Sequence, residues 1–212
     1  MLKVLLLLSF FSATLTSCRD IQISKCSEDT NNCTSFLEVA LADPDNFVVI
    51  WKTDATPPAY TNYTDNKGAQ LPLTEYPLNS NDFSNDTTKP ECQYDFTVNW
   101  GDGESSEITA WNDPDIEHQY SSPGEYVISM NGQIDCFILI GKIGLATQAG
   151  QSDFAKVIDI KQWGSNKFQT MSKMFFATQI SGFSAKDVPD LSEVTDLSYM
   201  LFGNTVFNSN IN

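Results

Sequence analysis

From Tyr94 to Trp100 the chain alternates without a break, with Tyr94, Phe96, Val98 and Trp100 on one side and Asp95, Thr97 and Asn99 on the other. A period of two marks a strand with one buried face. Gly101-Asp102-Gly103-Glu104 follows as a tight turn, because glycine tolerates positive φ and aspartate bonds its own backbone. Ser106 to Trp111 reads as the returning strand. Ser121-Ser122-Pro123-Gly124 predicts a turn into a strand from Glu125 to Met130, Asn131-Gly132 a further hairpin, and Phe137 to Ile143 one more strand. Upstream, Phe47 to Lys52 is an unbroken β-branched and aromatic run flanked by turn residues, and it predicts the first strand. Residues 53–90 are rich in Thr, Asn, Asp and Pro and read as loop, with at most a short strand around Leu71 to Tyr76. Tyr60, Tyr63, Tyr76 and Phe83 are scattered through that loop and are expected to pin it down.

The C-terminal quarter has a different rhythm. Phe168, Met171, Ser172, Met174 and Phe176 align with Val194, Leu197, Ser198, Met200 and Phe202 at a spacing of 26, and Ile180 with Val206 continues the register. A period of 20–29 residues is the leucine-rich-repeat range, in which each turn of chain buries its apolar face only against its neighbours. The competing reading of the same stripe is one face of a core helix. A solenoid generally needs at least ~3 repeats and a cap, so an array reaching Asn212 inside its second repeat reads as incomplete.

At the other end, Lys3 precedes Val4 to Leu15, a run apolar but for Ser9, Ser12 and Thr14. That suits the core of a secretory signal and falls short of the ~20 residues of a spanning helix. The run closes on Leu15-Thr16-Ser17-Cys18, which resembles the bacterial lipobox, where the cysteine is diacylated and becomes the mature N-terminus. The resemblance implies a signal peptide over 1–17 and a membrane partner held through lipid on Cys18, with more than one acyl chain for stable anchoring. Arg19 leaves no aspartate after Cys18, which by resemblance to diderm lipoproteins points to the outer membrane or cell surface. A plain signal peptide cut near Ser17, leaving a free Cys18 thiol, is the alternative.

Cysteine arithmetic agrees with lipidation. The chain has five cysteines, an awkward number for an exported protein. With Cys18 on lipid, Cys26, Cys33, Cys92 and Cys136 remain as disulfide candidates in an oxidising compartment, in any of three pairings. Twelve basic against 27 acidic side chains give a net charge of −15. Such a balance argues against nucleic acid as a partner, which needs clustered Lys and Arg.

Two stretches resemble known families. Trp100-Gly101-Asp102-Gly103, then His118-Gln119-Tyr120, then Pro123-Gly124-Glu125-Tyr126-Val127 resemble the PKD-type β-sandwich. The resemblance implies structural roles, with Asp102 capping the hairpin and His118 and Tyr120 packing at a strand edge. Ser184 to Thr195, with Ile160 to Gly164 and Phe207 to Ile211, resembles BspA-like leucine-rich-repeat surface proteins. Together they imply a mainly β chain: signal 1–17, polar tether 18–45, PKD-like sandwich 46–145 and a short leucine-rich-repeat solenoid over 146–212. The implied repeat core is Phe168, Met171, Met174, Phe176, Val194, Leu197, Met200 and Phe202. The implied function is non-catalytic adhesion or binding to an extracellular protein or glycan, with no cofactor. A carbohydrate-binding accessory module of a polysaccharide-degrading system is the first alternative, and a glycoside hydrolase acting through acidic residues is the second.

Candidate chemistry is sparse. His118 is the single imidazole, so any Ser-His or Cys-His mechanism must run through it. No G-x-S-x-G, H-E-x-x-H or P-loop motif occurs, and no C-x-x-C pair suggests zinc. A glycosidase needs only two carboxylates ~5–10 Å apart, and Asp113, Asp115 and Glu117 cluster. Oxygen ligands there, or at Asp65/Asn66, suit calcium but do not match an EF-hand loop, and a solvated acidic loop is expected. Tyr60, Tyr63 and Trp111 have rings that stack on sugars when exposed, though packing is the commoner fate.

Overall fold

The computed structural model describes residues 25–26, 33–55, 66–79, 84–139, 153–176 and 178–209. The signal segment, Cys18, Tyr60, Tyr63, Asp65 and Phe83 lie outside the described residues. A two-residue pair, β1 (Lys25–Cys26) and β2 (Cys33–Thr34), sets Cys26 opposite Cys33 in antiparallel register.

The expected tether does not run to residue 45. Helix α1 (Phe36–Ala42) starts at Ser35, whose hydroxyl accepts from the Glu38 N–H at 3.1 Å while the Glu38 carboxylate accepts from the Ser35 N–H at 3.0 Å. This reciprocal capping box satisfies two otherwise orphan donors. Ser-x-x-Glu before an apolar run was its sequence signature.

Five antiparallel strands form the main sheet in the order β6-β5-β8-β3-β9. They are β3 (Phe47–Lys52), β5 (Tyr94–Asn99), β6 (Ser105–Ile108), β8 (Glu125–Ile134) and β9 (Val157–Gln162). A second pair, β4 (Gly68–Gln70) with β7 (Glu117–Gln119), sets Ala69 opposite His118. Ala69 and Leu71 share one core with Phe96, Val98 and Trp100, an arrangement consistent with a β-sandwich. The short strand anticipated near Leu71 to Tyr76 is instead β4, just upstream of Leu71. Leu73 makes only an isolated bridge to Phe137.

Strand β3 explains its unbroken apolar run by burying both faces. Phe47, Val49 and Trp51 enter the main core. Val48 and Ile50 meet Ala40 of α1 and Val127 on the other side. By contrast β5 alternates buried and exposed along its whole length, as its pattern demanded.

Asn131-Gly132 is not a hairpin, because β8 runs straight through it to Ile134. Asn131 bonds the α1–β3 connection, donating to Asp43 Oδ2 at 3.1 Å and Asn46 Oδ1 at 3.0 Å. Gly132 sits at φ +126°, where a Cβ would overlap the backbone of Asp95 and Phe96 on β5. Glycine is there because the neighbouring strand comes close. Phe137 to Ile143 is likewise no strand over its described part. Asp135 to Leu139 instead bonds Leu73, Thr170 and Met174 through bridges and loop hydrogen bonds.

The largest departure concerns the boundary at 145/146. Strand β9 belongs to the segment assigned to repeats, yet it is the edge of the main sheet, with Val49 opposite Ile160. Phe47 on β3 packs against Phe137, Trp163 and Phe168 with ring centroids 5.4, 5.9 and 5.4 Å away. Phe168, Met171, Met174, Phe175 and Ile180 thus complete the sheet's own core. Separated units would leave Phe47 and Phe168 exposed, and burying large apolar side chains is worth ~1.5–3 kcal/mol each.

Candidate functional site

Two constellations hold the residues singled out by sequence. The first surrounds the Gly-Asp-Gly turn. Gly101 has φ +83°, and a Cβ there would overlap the Val127 carbonyl, so the turn can lie against β8 only with glycine. Asp102 then uses both carboxylate oxygens. Oδ1 accepts from the Glu104 N–H at 3.0 Å, and Oδ2 lies 2.7 Å from His118 Nε2.

His118 lies flat on Trp100 with centroids 4.9 Å apart and meets the edge of Tyr120 at 4.6 Å. Tyr120 stacks on Tyr126 at 3.6 Å and donates to the Trp100 carbonyl at 2.9 Å. Burial pushes the Tyr120 hydroxyl well above the ordinary phenol range, and the Asp102 charge adds to this. Tyr126 donates to the Ser122 carbonyl at 2.8 Å, just before Gly124. Among the described residues the polar neighbours of His118 are the carboxylates of Asp102 and Glu104. Among the described residues no hydroxyl or thiol hydrogen-bonds it, and the Trp100 stack and the Asp102 carboxylate fix the orientation of the imidazole.

The acidic cluster is also occupied internally. Asp113 accepts from the N–H groups of Thr109 and Asp115. Among the described residues no group of three or more His, Cys, Asp or Glu side chains is placed to hold a metal ion. Trp111 beside it is exposed. No helix among the described residues is long and apolar enough to cross a membrane.

The cysteine pairing left open by sequence is Cys92–Cys136, with Cα atoms 5.8 Å apart. It ties the entry to β5 to the exit of β8.

The second constellation is the pair of 26-residue segments. Met171, Lys173 and Phe175 donate their N–H groups to the carbonyls of Asp196, Ser198 and Met200 at 3.1, 3.1 and 2.9 Å. Side chains repeat the spacing. Ser172 Oγ donates to the Ser198 carbonyl at 3.1 Å, Asn204 donates to Thr178 Oγ1 at 3.1 Å, and Phe176 stacks on Phe202 at 5.3 Å. Each segment also makes the same turns. Met174 bonds back to Met171 and Phe176 to Lys173, as Met200 does to Leu197 and Phe202 to Tyr199. Lys173 and Tyr199 both stand at φ +59°. Neither residue type favours that region, and the equivalence was hidden because Lys and Tyr mismatch in the alignment.

No family model, curated protein or solved structure matches this chain.

Of the eight residues expected in the repeat core, four are buried, two pack half-buried against the main core and two are exposed. Phe168, Met171, Met174 and Phe176 are buried, and Val194 and Met200 are half-buried. Leu197 and Phe202 are 49 % and 56 % exposed, so both are corrected from core to surface. The reason is positional: the second segment covers the first, and no described residue covers the second in the same way.

Asp196 holds the second segment's turn. Its carboxylate is pulled two ways: partial burial raises its pKa, while the Ser198 hydroxyl and N–H and the Lys173 charge outweigh burial and bring it below the usual range. A carboxyl depressed in the folded state adds stability above its unfolded value of ~3.9, and that stability is lost as pH falls through the folded value. Thermal stability measured from pH 6 to pH 2 should therefore drop below about pH 4, and more shallowly in Asp196→Asn. Equal slopes in both proteins would contradict this assignment.

Proposed function

We propose that this chain is a lipid-anchored, non-catalytic surface protein in which a PKD-like β-sandwich carries the start of a BspA-like leucine-rich solenoid and binds an extracellular protein or glycan. The observation that carries the reading is the recurrence, 26 residues on, of the same turn hydrogen bonds and the same positive-φ position. Repetition of that kind builds an extended face from identical units, which is how solenoids present binding surfaces. The anchor rests on Lys3, the apolar run and Cys18. The acidic balance supports a protein that stays solvated beside an anionic lipid surface.

The test has two arms. In the native host, Cys18→Ala should move the protein from the membrane fraction to the soluble one, and continued membrane retention would remove the anchor. The lipid-free protein should bind at least one member of a panel of extracellular matrix proteins and immobilised glycans, with no polysaccharide turnover. Glycan binding abolished by Trp111→Ala would favour the accessory-module reading. Turnover lost in Asp113→Asn would overturn the non-catalytic one.

A further inference from the structure

The outer side of the second segment has the chemistry of a surface that, one repeat earlier, is covered. Met171, Lys173 and Phe175 spend their N–H groups on the next segment. Their equivalents 26 residues on are Leu197, Tyr199 and Leu201, and among the described residues none of these three N–H groups has a hydrogen-bond partner. Their carbonyls, in contrast, are all taken inside the turn, by Met200, Phe202 and Asn204 at 3.2, 3.1 and 3.2 Å. The edge is therefore donor-only. Leu197, Tyr199, Phe202 and Val206 flank it and are 42–56 % exposed, where Met171, Lys173, Phe176 and Ile180 are buried.

We infer that this edge docks a further segment carrying the same 26-residue pattern, whose alternate carbonyls accept from Leu197, Tyr199 and Leu201. The inference deepens the repeat reading above and rests on it, but it specifies which atoms pair and in which direction. A second copy of the chain meeting the same face would set N–H against N–H, and the carbonyls it would need are already spent. A polar ligand would satisfy the donors and leave Leu197 and Phe202 in water. Only a segment offering three carbonyls at alternate residues, with apolar side chains between the turns, meets both requirements. Within this molecule Asp196, Ser198 and Met200 already offer that combination to the first segment.

The test appends residues 187–209 directly after Asn212 of the full chain, which keeps the 26-residue register. Amide hydrogen exchange is then followed residue by residue. Exchange at Leu197, Tyr199 and Leu201 should slow at least tenfold, while Met171, Lys173 and Phe175 stay protected and report an intact stack. Unchanged exchange at the three amides would overturn the inference. So would equal protection from an appended segment of the same composition in scrambled order, since mere coverage would then suffice. Neither result bears on membrane retention or the binding panel, so the two readings fail separately.

Discussion

Phe168→Ala is expected to cost about 3–5 kcal/mol and to lower the melting of sheet and repeats together. Phe168 is fully buried, with its ring 5.4 Å from Phe47 and 6.5 Å from Trp163, both edge-on. Removing the phenyl group loses its transfer free energy and leaves a cavity that the β3 strand, held between β8 and β9, cannot collapse to fill. The same substitution reports on architecture. If sheet and repeats share one core, near-ultraviolet signals from Trp51 and Trp100 in the sheet and far-ultraviolet signals from the whole chain should shift by the same amount in a single transition. A C-terminal segment that melts first, taking the Trp163 signal with it and leaving the rest of the tryptophan signal at its original midpoint, would restore the boundary at 145/146 that β9 argues against.

Breaking the Cys92–Cys136 link with a double alanine substitution is the second large effect. The bridge closes a loop spanning 44 residues, and chain entropy for such a loop predicts a loss of about 4 kcal/mol. The surroundings reinforce it. Cys136 is fully buried, and its carbonyl accepts from the Tyr94 hydroxyl at 3.0 Å, which also donates to Thr74 at 2.7 Å. Burial drives that hydroxyl well above the ordinary phenol range, so Tyr94 stays a donor through the whole physiological range. Denaturant midpoints of the oxidised wild type and the double variant give the comparison. A difference below about 1 kcal/mol would mean that the loop is already constrained by its hydrogen bonds. Peptide mapping without reductant should recover Cys92 and Cys136 in one linked fragment.

Much of the sheet was legible. The alternation in Tyr94 to Trp100 and the unbroken run in Phe47 to Lys52 report, respectively, one buried face and two, and each strand has the burial its pattern required. Helix α1 was also legible from Ser35 and Glu38, but the polar residues around it hid the signal. Asn131-Gly132 misled because the same dipeptide serves two physical ends. It makes tight turns, and it also supplies a side chain that binds a neighbouring loop next to a residue with no Cβ. Local chemistry is identical in the two cases, and only the approach of β5 separates them.

By itself the sequence determined what depends on spacing along the chain: the strand patterns, the Gly-Asp-Gly turn and the 26-residue register that sets Ser172 over Ser198 and Phe176 over Phe202. Tertiary structure alone decided what depends on which surfaces meet. It paired Cys92 with Cys136, placed β9 in the main sheet, and set His118 between Trp100 and Asp102. It also separated Met171 from Leu197, two residues with the same place in the pattern. One is buried because another segment lies over it, and the other faces solvent. Periodicity fixes which side chains share a face, but burial depends on whether something covers that face, and no residue's own pattern records its neighbour.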